Sequence, residues 1–307
     1  MDYPEFLILR LREPGDSLLC DREKMPFFLR ILPRKVRNHL APGWMRWKLP
    51  LECKETEYIG SRGQEVWLPF EKNDLDNYSR EEITDMLHRI IVEKGVQNMV
   101  VDEALEPFLE KGLRIDGGMI PYLMLDEIVK HVCKKHQIAR RELRPVIMAA
   151  SARETFAALK KLGTDLNRLT IVTDTPEEYE EFARDAFEEQ GLLVRVVERP
   201  LERELYGNLF LELSPRFRGD CKWYPDGSVA VNLSGNPYQI RDILLQRRNL
   251  VCYNRFDISV QGRVLDNRVL QAVIYKTNTQ IGMGQVEKVD KIREIYGFKV
   301  EKAGIKY

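Results

Sequence analysis

The sequence has no net charge, few cysteines and no long apolar run, and each shortage excludes a class of protein. Over 307 residues, 48 Lys and Arg balance 48 Asp and Glu, so no global field draws the chain to nucleic acid or to an anionic membrane. No stretch reaches the roughly 18 consecutive apolar residues that a bilayer span requires. The five cysteines (Cys20, Cys53, Cys133, Cys221 and Cys252) are scattered and never in CxxC spacing. That usage speaks against a disulfide framework or zinc knuckle and for a reducing compartment. The opening Met1-Asp2-Tyr3-Pro4-Glu5 lacks the basic flank and apolar core of a secretory leader. The expectation is a cytoplasmic protein with no membrane partner and no nucleic acid. GxSxG, HExxH, Walker and kinase motifs are also absent.

What is present is an ordinary globular balance, 44% hydrophobic and 31% charged, enough for two lobes. Phe6-Leu7-Ile8-Leu9 predicts a strand. Prolines 26, 33, 42 and 50 are expected to break the aromatic, basic stretch KMPFFLRILPRKVRNHLAPGWMRWKLP into short helical pieces. Residues 57–60 and 65–69 predict a hairpin turning at Ser61-Arg62-Gly63-Gln64. Ser79-Arg80-Glu81-Glu82 is a capping-box signal for a helix with Ile83, Met86, Leu87, Ile90 and Ile91 on one face, stopped by Gly95. Residues 98–101 predict a short buried strand, and one amphipathic helix is expected from Met119 to Ile138.

The middle third alternates. Residues 146–150, 169–174, 192–197, 208–213 and 228–233 read as strands. SARETFAALKKLG, closed by Gly163, and TPEEYEEFARDAFEEQG, opened by a Thr175 cap and Pro176 and closed by Gly191, read as helices. Strands alternating with helices of this length imply a parallel sheet. The fold class expected is therefore α/β: a parallel Rossmann-like sheet flanked by helices, plus an N-terminal α/β lobe and C-terminal helices over 263–276 and 285–296 with an extended tail. The boundaries expected are 1–143, 144–252 and 253–307, the last packing back between the lobes.

A dinucleotide fold seats its pyrophosphate at the helix after the first strand, where glycines let the backbone approach. The corresponding loop here, Ala149-Ala150-Ser151-Ala152-Arg153-Glu154, has no glycine. Its Cβ atoms take space that a diphosphate needs, and Glu154 brings a negative charge that Arg153 can offset. Ala150, Ser151, Ala152 and Arg153 are the candidate cofactor contacts, with Ser151 either capping the helix or meeting a phosphate. Asp174, with Thr175, stands where an acidic residue accepts hydrogen bonds from an adenine ribose, favouring NAD over NADP; it equally suits a plain turn. Ser214 and Ser234 follow later strands on the ligand-binding edge, or are turn residues. Gly282-Met283-Gly284 has GxG spacing in the wrong context.

KMPFFLRILPRKVRNHLAPGW with TEYIGSRGQEVWLPF, DGGMIPYLMLDEIVKHVCKKHQI leading into VIMAASARETFAALKKLG and LTIVTDTPE, and QVEKVDKIREIYGFKVEKAGI together resemble shikimate-dehydrogenase-like oxidoreductases. Within these the chain is most similar to long-chain acyl-[acyl-carrier-protein] reductases and predicted amino acid dehydrogenases. The resemblance implies an NAD(P)-dependent reduction of an acyl thioester, aldehyde or related small carbonyl, and places Gly117 and Gly118 on a loop facing the cleft. It also implies a nucleophilic cysteine near LDNRVLQAVIYK, where none stands. With the glycine loop also gone, the expectation is a degenerate member that binds a small ligand in the interlobe cleft, or a protein partner, without turnover. No catalytic residue is assigned. His131-x-Cys133-x-x-His136 diverges on a helix and reads as structural, not metal-binding. Cys221 and Cys252 flank the last predicted strand and read as inert. Arg140, Arg141 and Arg144, with Arg247 and Arg248, read as solvated helix surface.

Overall fold

The computed structural model describes residues 4–17, 25–96, 99–162, 166–199, 204–214, 220–247, 249–274, 293 and 295–304. The expected Gly163 stop, the Gly282–Gly284 turn and most of the helix over 285–296 lie outside them.

The chain forms two compact units, residues 1–117 with 268–279, and residues 118–267 with 280–307. The boundary expected at 143/144 thus falls inside the second.

The first unit opens with β1 (Phe6–Arg12), then α1 (Phe27–Arg30) and α2 (Arg34–Lys48). Pro33 starts α2, as expected of a helix N-terminus, but Pro42 lies inside it and does not break it. Next come β2 (Glu52–Tyr58) and β3 (Ser61–Glu71), a hairpin whose turn is Ile59-Gly60 and not the expected 61–64. Both turn residues have positive φ, 54° and 72°, the signature of the two-residue turn whose twist matches that of paired strands. Gly60 supplies that conformation; Gly63, two residues inside the strand, does not.

α3 (Arg80–Lys94) begins at the expected capping box and ends on Gly95 in the left-handed region, burying Ile83, Met86, Leu87 and Ile90. β4 (Met99–Val101) completes a sheet of order β2-β3-β1-β4. β1 is parallel to both β3 and β4, and α3 packs over one face around Leu7, Leu9, Val66 and Leu68.

The second unit begins with α4 (Met119–Leu123) and α5 (Leu125–Lys135), separate helices where one was expected, the break falling at Met124. β5 (Pro145–Met148), α6 (Ala152–Leu162), β6 (Arg168–Thr173), α7 (Glu177–Gln190), β7 (Leu193–Glu198), β8 (Leu209–Glu212) and β9 (Val229–Asn232) match the expected alternation. The Thr175 cap does not form. Pro176 holds the cap position with no side-chain bond, and the Thr175 amide donates to the Thr173 hydroxyl at 3.1 Å.

Two further elements were not expected: α8 (Pro237–Gln246), capped by Asn236, and β10 (Val251–Tyr253). They add a sixth strand, giving the order β10-β9-β8-β5-β6-β7, every pair parallel. Counted from β5 this is 6-5-4-1-2-3, the doubly wound dinucleotide-fold order. β5, β8 and β9 are buried along their whole length, as strands covered on both faces must be, whereas the edge strand β7 is largely exposed.

The segment expected to hold two helices and an extended tail contains a small antiparallel sheet. β11 (Arg255–Val260) and β12 (Arg263–Leu265) turn at Gln261-Gly262, both with positive φ. α9 (Asn267–Ile274) follows, beginning four residues later than the helix expected over 263–276. The tail is β13 (Lys299–Gly304), paired with β11. Among the described residues, no helix is long and apolar enough to cross a membrane.

Candidate functional site

In an all-parallel sheet the carboxyl ends of the strands lie along one edge, and ligands enter where the strand order reverses. Here that point lies between β5 and β8. Ala150 is half-buried there, Ser151 and Arg153 are exposed, and Ala152 opens α6.

The head of α6 is closed by its own sequence. The Ser151 carbonyl accepts from the Thr155 amide at 3.0 Å, which makes Ser151 the cap residue. Its hydroxyl accepts from the Glu154 amide at 3.4 Å. In return the Glu154 carboxylate accepts from the Ser151 amide at 3.3 Å and hydroxyl at 2.8 Å. This is a reciprocal capping box, Ser-x-x-Glu. Of the two roles the sequence left open for Ser151 the structure has the cap, with a carboxylate on the amide and hydroxyl that a phosphate would otherwise meet.

At the switch point the β5–β8 ladder continues past the strand ends. The Met148 carbonyl at the end of β5 accepts from the Leu213 amide at 3.1 Å and the Ser214 amide at 3.3 Å. The Tyr122 hydroxyl, from α4, donates to the Leu213 carbonyl at 3.0 Å. Burial pushes the Tyr122 phenol upward in pKa, and the Glu154 carboxylate adds to the rise. The phenol stays protonated and serves as a donor.

Beyond Ser214 lies a buried polar network. Glu212, only 3% exposed, accepts from the Tyr224 hydroxyl and from Gln239 Nε2 at 3.4 Å. Gln239 Nε2 also donates to the Ser214 carbonyl at 2.8 Å, and its Oε1 accepts from Ser234 at 2.6 Å and Asn232 at 3.1 Å. Gln239 thus joins Ser214 and Ser234, two of the expected site residues. Both lie at strand ends, as expected, but each has protein partners. Asp174 is exposed at the end of β6. Gly117, buried with φ +77°, ends the first unit, and Gly118 caps α4 in the second.

Cys221 and Cys252 are both buried. Burial, then Glu212 and Cys221, push the Cys252 thiol up to about 12, so it is no nucleophile at neutral pH. His136 Nε2 faces the Tyr253 hydroxyl at 2.8 Å. Among the described residues no three His, Cys, Asp or Glu side chains gather as for a metal.

Glu212, Tyr224, Gln239 and Tyr122 were not among the expected site residues. Nothing local marks them, because they meet only through the sheet. Glu154 is different: Ser-x-x-Glu was legible, and is the same signal as Ser79-x-x-Glu82.

No protein-family model and no curated protein matches the sequence. Among solved structures, the chain is similar to ligand-free 5-ketofructose reductase of Gluconobacter at 10% identity, covering 95% of this chain and 98% of that one, TM-score 0.34. It is similar to L-tryptophan dehydrogenase of Nostoc punctiforme at 10% identity, over 95% of this chain and 80% of that one, TM-score 0.36. A likeness to Δ1-pyrroline-2-carboxylate reductase of Thermococcus litoralis, in complex with NADH and L-proline, spans 38% of this chain and 36% of that one at 16% identity, TM-score 0.26. Similarities this remote assign no activity. The class that the strand order itself defines is a Rossmann-like α/β protein.

Proposed function

We propose that this chain is a Rossmann-like protein that binds a small ligand or a protein partner without redox turnover. What carries the reading is the Ser151–Glu154 capping box. A phosphate at a helix N-terminus gains about 0.3–2 kcal/mol from the dipole. A carboxylate about 4 Å away repels each phosphate charge by about 1 kcal/mol in water and about 4 kcal/mol near a protein surface. At a protein surface the repulsion exceeds the attraction, and the amide must first be released from Glu154. The residues present do not fit a nicotinamide dinucleotide in the usual pose, and no redox step is derived through one. The Tyr122 hydroxyl, bonded to the Leu213 carbonyl beside the switch point, supports the same reading.

The competing reading is an NAD(P)-dependent oxidoreductase acting on an acyl thioester, aldehyde or related carbonyl. The exposed Asp174 at the end of β6, free of steric cover, favours it. Titration calorimetry of NAD⁺, NADH, NADP⁺ and NADPH separates the two, together with a nicotinamide-oxidation assay on a long-chain aldehyde and an acyl thioester. The proposal expects no binding heat and no oxidation. Turnover with either substrate would establish the competing reading.

A further inference from the structure

The chain is neutral as a whole, yet its cations are unevenly placed. Between Met25 and Leu51 the sequence has six Lys and Arg and no Asp or Glu, against 48 of each sign overall. This stretch folds as α1 and α2. The two helices bury Met25, Leu29 and Ala41 together, with Leu32 and Trp44 half-buried around them.

Their outward faces are not polar. On α1, Phe27, Phe28 and Ile31 are 76%, 54% and 63% exposed. On α2, Val36, Leu40 and Trp47 are 45%, 48% and 71% exposed. At about 100° per residue these three fall within about 40° of one another, in a single stripe. Ala41 and Met45, both fully buried, lie on the opposite side of the same helix. Lys48 and the half-buried Arg37 flank the stripe on one side by the same count, and on the other Arg46 is paired with Glu82 of α3. Lys48 Nζ lies 4.9 Å over the Trp47 ring.

We propose that α1 and α2 form an interfacial docking surface for an anionic phospholipid bilayer. Exposed Phe and Trp on a helix with basic flanks are the groups that settle at the headgroup boundary, aromatic rings inward and cations at the lipid phosphates. The stretch has six cations and no acid, and stays net positive with Arg46 paired to Glu82, which selects a polyanionic surface. A second copy of this chain is a poor occupant, because a two-fold contact through this face sets one net-positive stretch against another. The charge balance of the whole chain conceals this feature, and the attachment proposed is peripheral, not a span.

The test is co-sedimentation of the full chain with vesicles of phosphatidylcholine and phosphatidylserine in equal parts, against vesicles of phosphatidylcholine alone. The expected result is binding to the anionic vesicles only, weakened by salt, with a blue shift of tryptophan emission. A variant carrying Phe27→Ser, Phe28→Ser and Trp47→Ser should lose binding while keeping its melting temperature. Lys48→Glu should weaken binding by about tenfold, and provides the reading should the triple variant fail to fold. Recovery of the wild-type chain in the supernatant with both vesicles would overturn the proposal. So would equal binding by the triple variant or, if that variant does not fold, by Lys48→Glu. Equal binding to neutral vesicles, or a dimer abolished by the triple variant, would also overturn it.

Discussion

Replacing Glu154 in a graded series tests whether its carboxylate caps α6. Glu154→Gln keeps an acceptor for the Ser151 amide and hydroxyl, now 3.3 and 2.8 Å from the carboxylate, but removes the charge from the helix N-terminus. The expected loss is the dipole interaction alone, about 0.3–1 kcal/mol. Glu154→Ala removes the acceptor as well, adding about 0.5–1.5 kcal/mol for the lost hydrogen bonding, for a total of about 1–2.5 kcal/mol. For a domain of this size that lowers the melting temperature by about 2–10 °C. Thermal unfolding followed by circular dichroism at neutral pH gives the comparison. The Gln–Glu difference should shrink at high salt, because it is a charge effect at an accessible helix end. The reasoning fails if Glu154→Ala melts with the wild type, or if Gln is as damaging as Ala.

Three further outcomes follow from the same edge of the sheet and its surroundings. Tyr224→Phe deprives the buried Glu212 carboxylate of a donor and should cost about 1–3 kcal/mol by chemical denaturation; an unchanged midpoint would show that the Tyr224 bond contributes nothing to stability. With its pKa near 12, Cys252 is thiolate in about one molecule in ten thousand at pH 8. Iodoacetamide should therefore label exposed Cys53 and spare Cys252 in the native protein, as read by peptide mass spectrometry; early labelling of Cys252 would contradict its burial. Asp126 is pushed up by burial, but the Arg293 guanidinium, bonding it at 2.8 and 3.1 Å, outweighs that and lowers its pKa. A depressed carboxylate stabilises the fold above its unfolded value of about 3.9, and that contribution disappears as pH falls through the lower native value. Asp126→Asn should flatten the acid limb of the stability profile below about pH 4; an unchanged limb would show that the pair is not coupled to folding.

The sequence was most readable where a local rule and the tertiary fold agree. Ser79-x-x-Glu82 and Gly95 bound α3 as the capping rules require, and the buried runs of β5, β6, β8 and β9 declare a covered parallel sheet. Boundaries failed where one signal was weighed against another. Gly60, not Gly63, carries the positive φ of the first hairpin, and an isoleucine at φ 54° is not what turn statistics favour. Asn236-Pro237 is the only local helix-start signal of α8, a brief one, and the strand behind it depends on that helix. The β11–β12 hairpin turns on Gln261-Gly262, a pair outside the usual turn dipeptides. The network around Glu212 was illegible for a different reason: its hydrogen bonds join residues 12 and 27 positions apart, and only the sheet brings them together. Whole-chain neutrality likewise hides the basic, aromatic face of α1 and α2.

The central claim is that the head of α6 is occupied by Glu154 and does not take a diphosphate. The direct measurement is the melting temperature of the wild-type chain with 1 mM of each nicotinamide nucleotide in turn. A nucleotide held with a Kd of about 10 μM would stabilise the fold by about 2.7 kcal/mol, raising the midpoint by about 5–10 °C. The account expects no shift with any of the four. A rise of that size, abolished by a bulky replacement at Ser151, would contradict it.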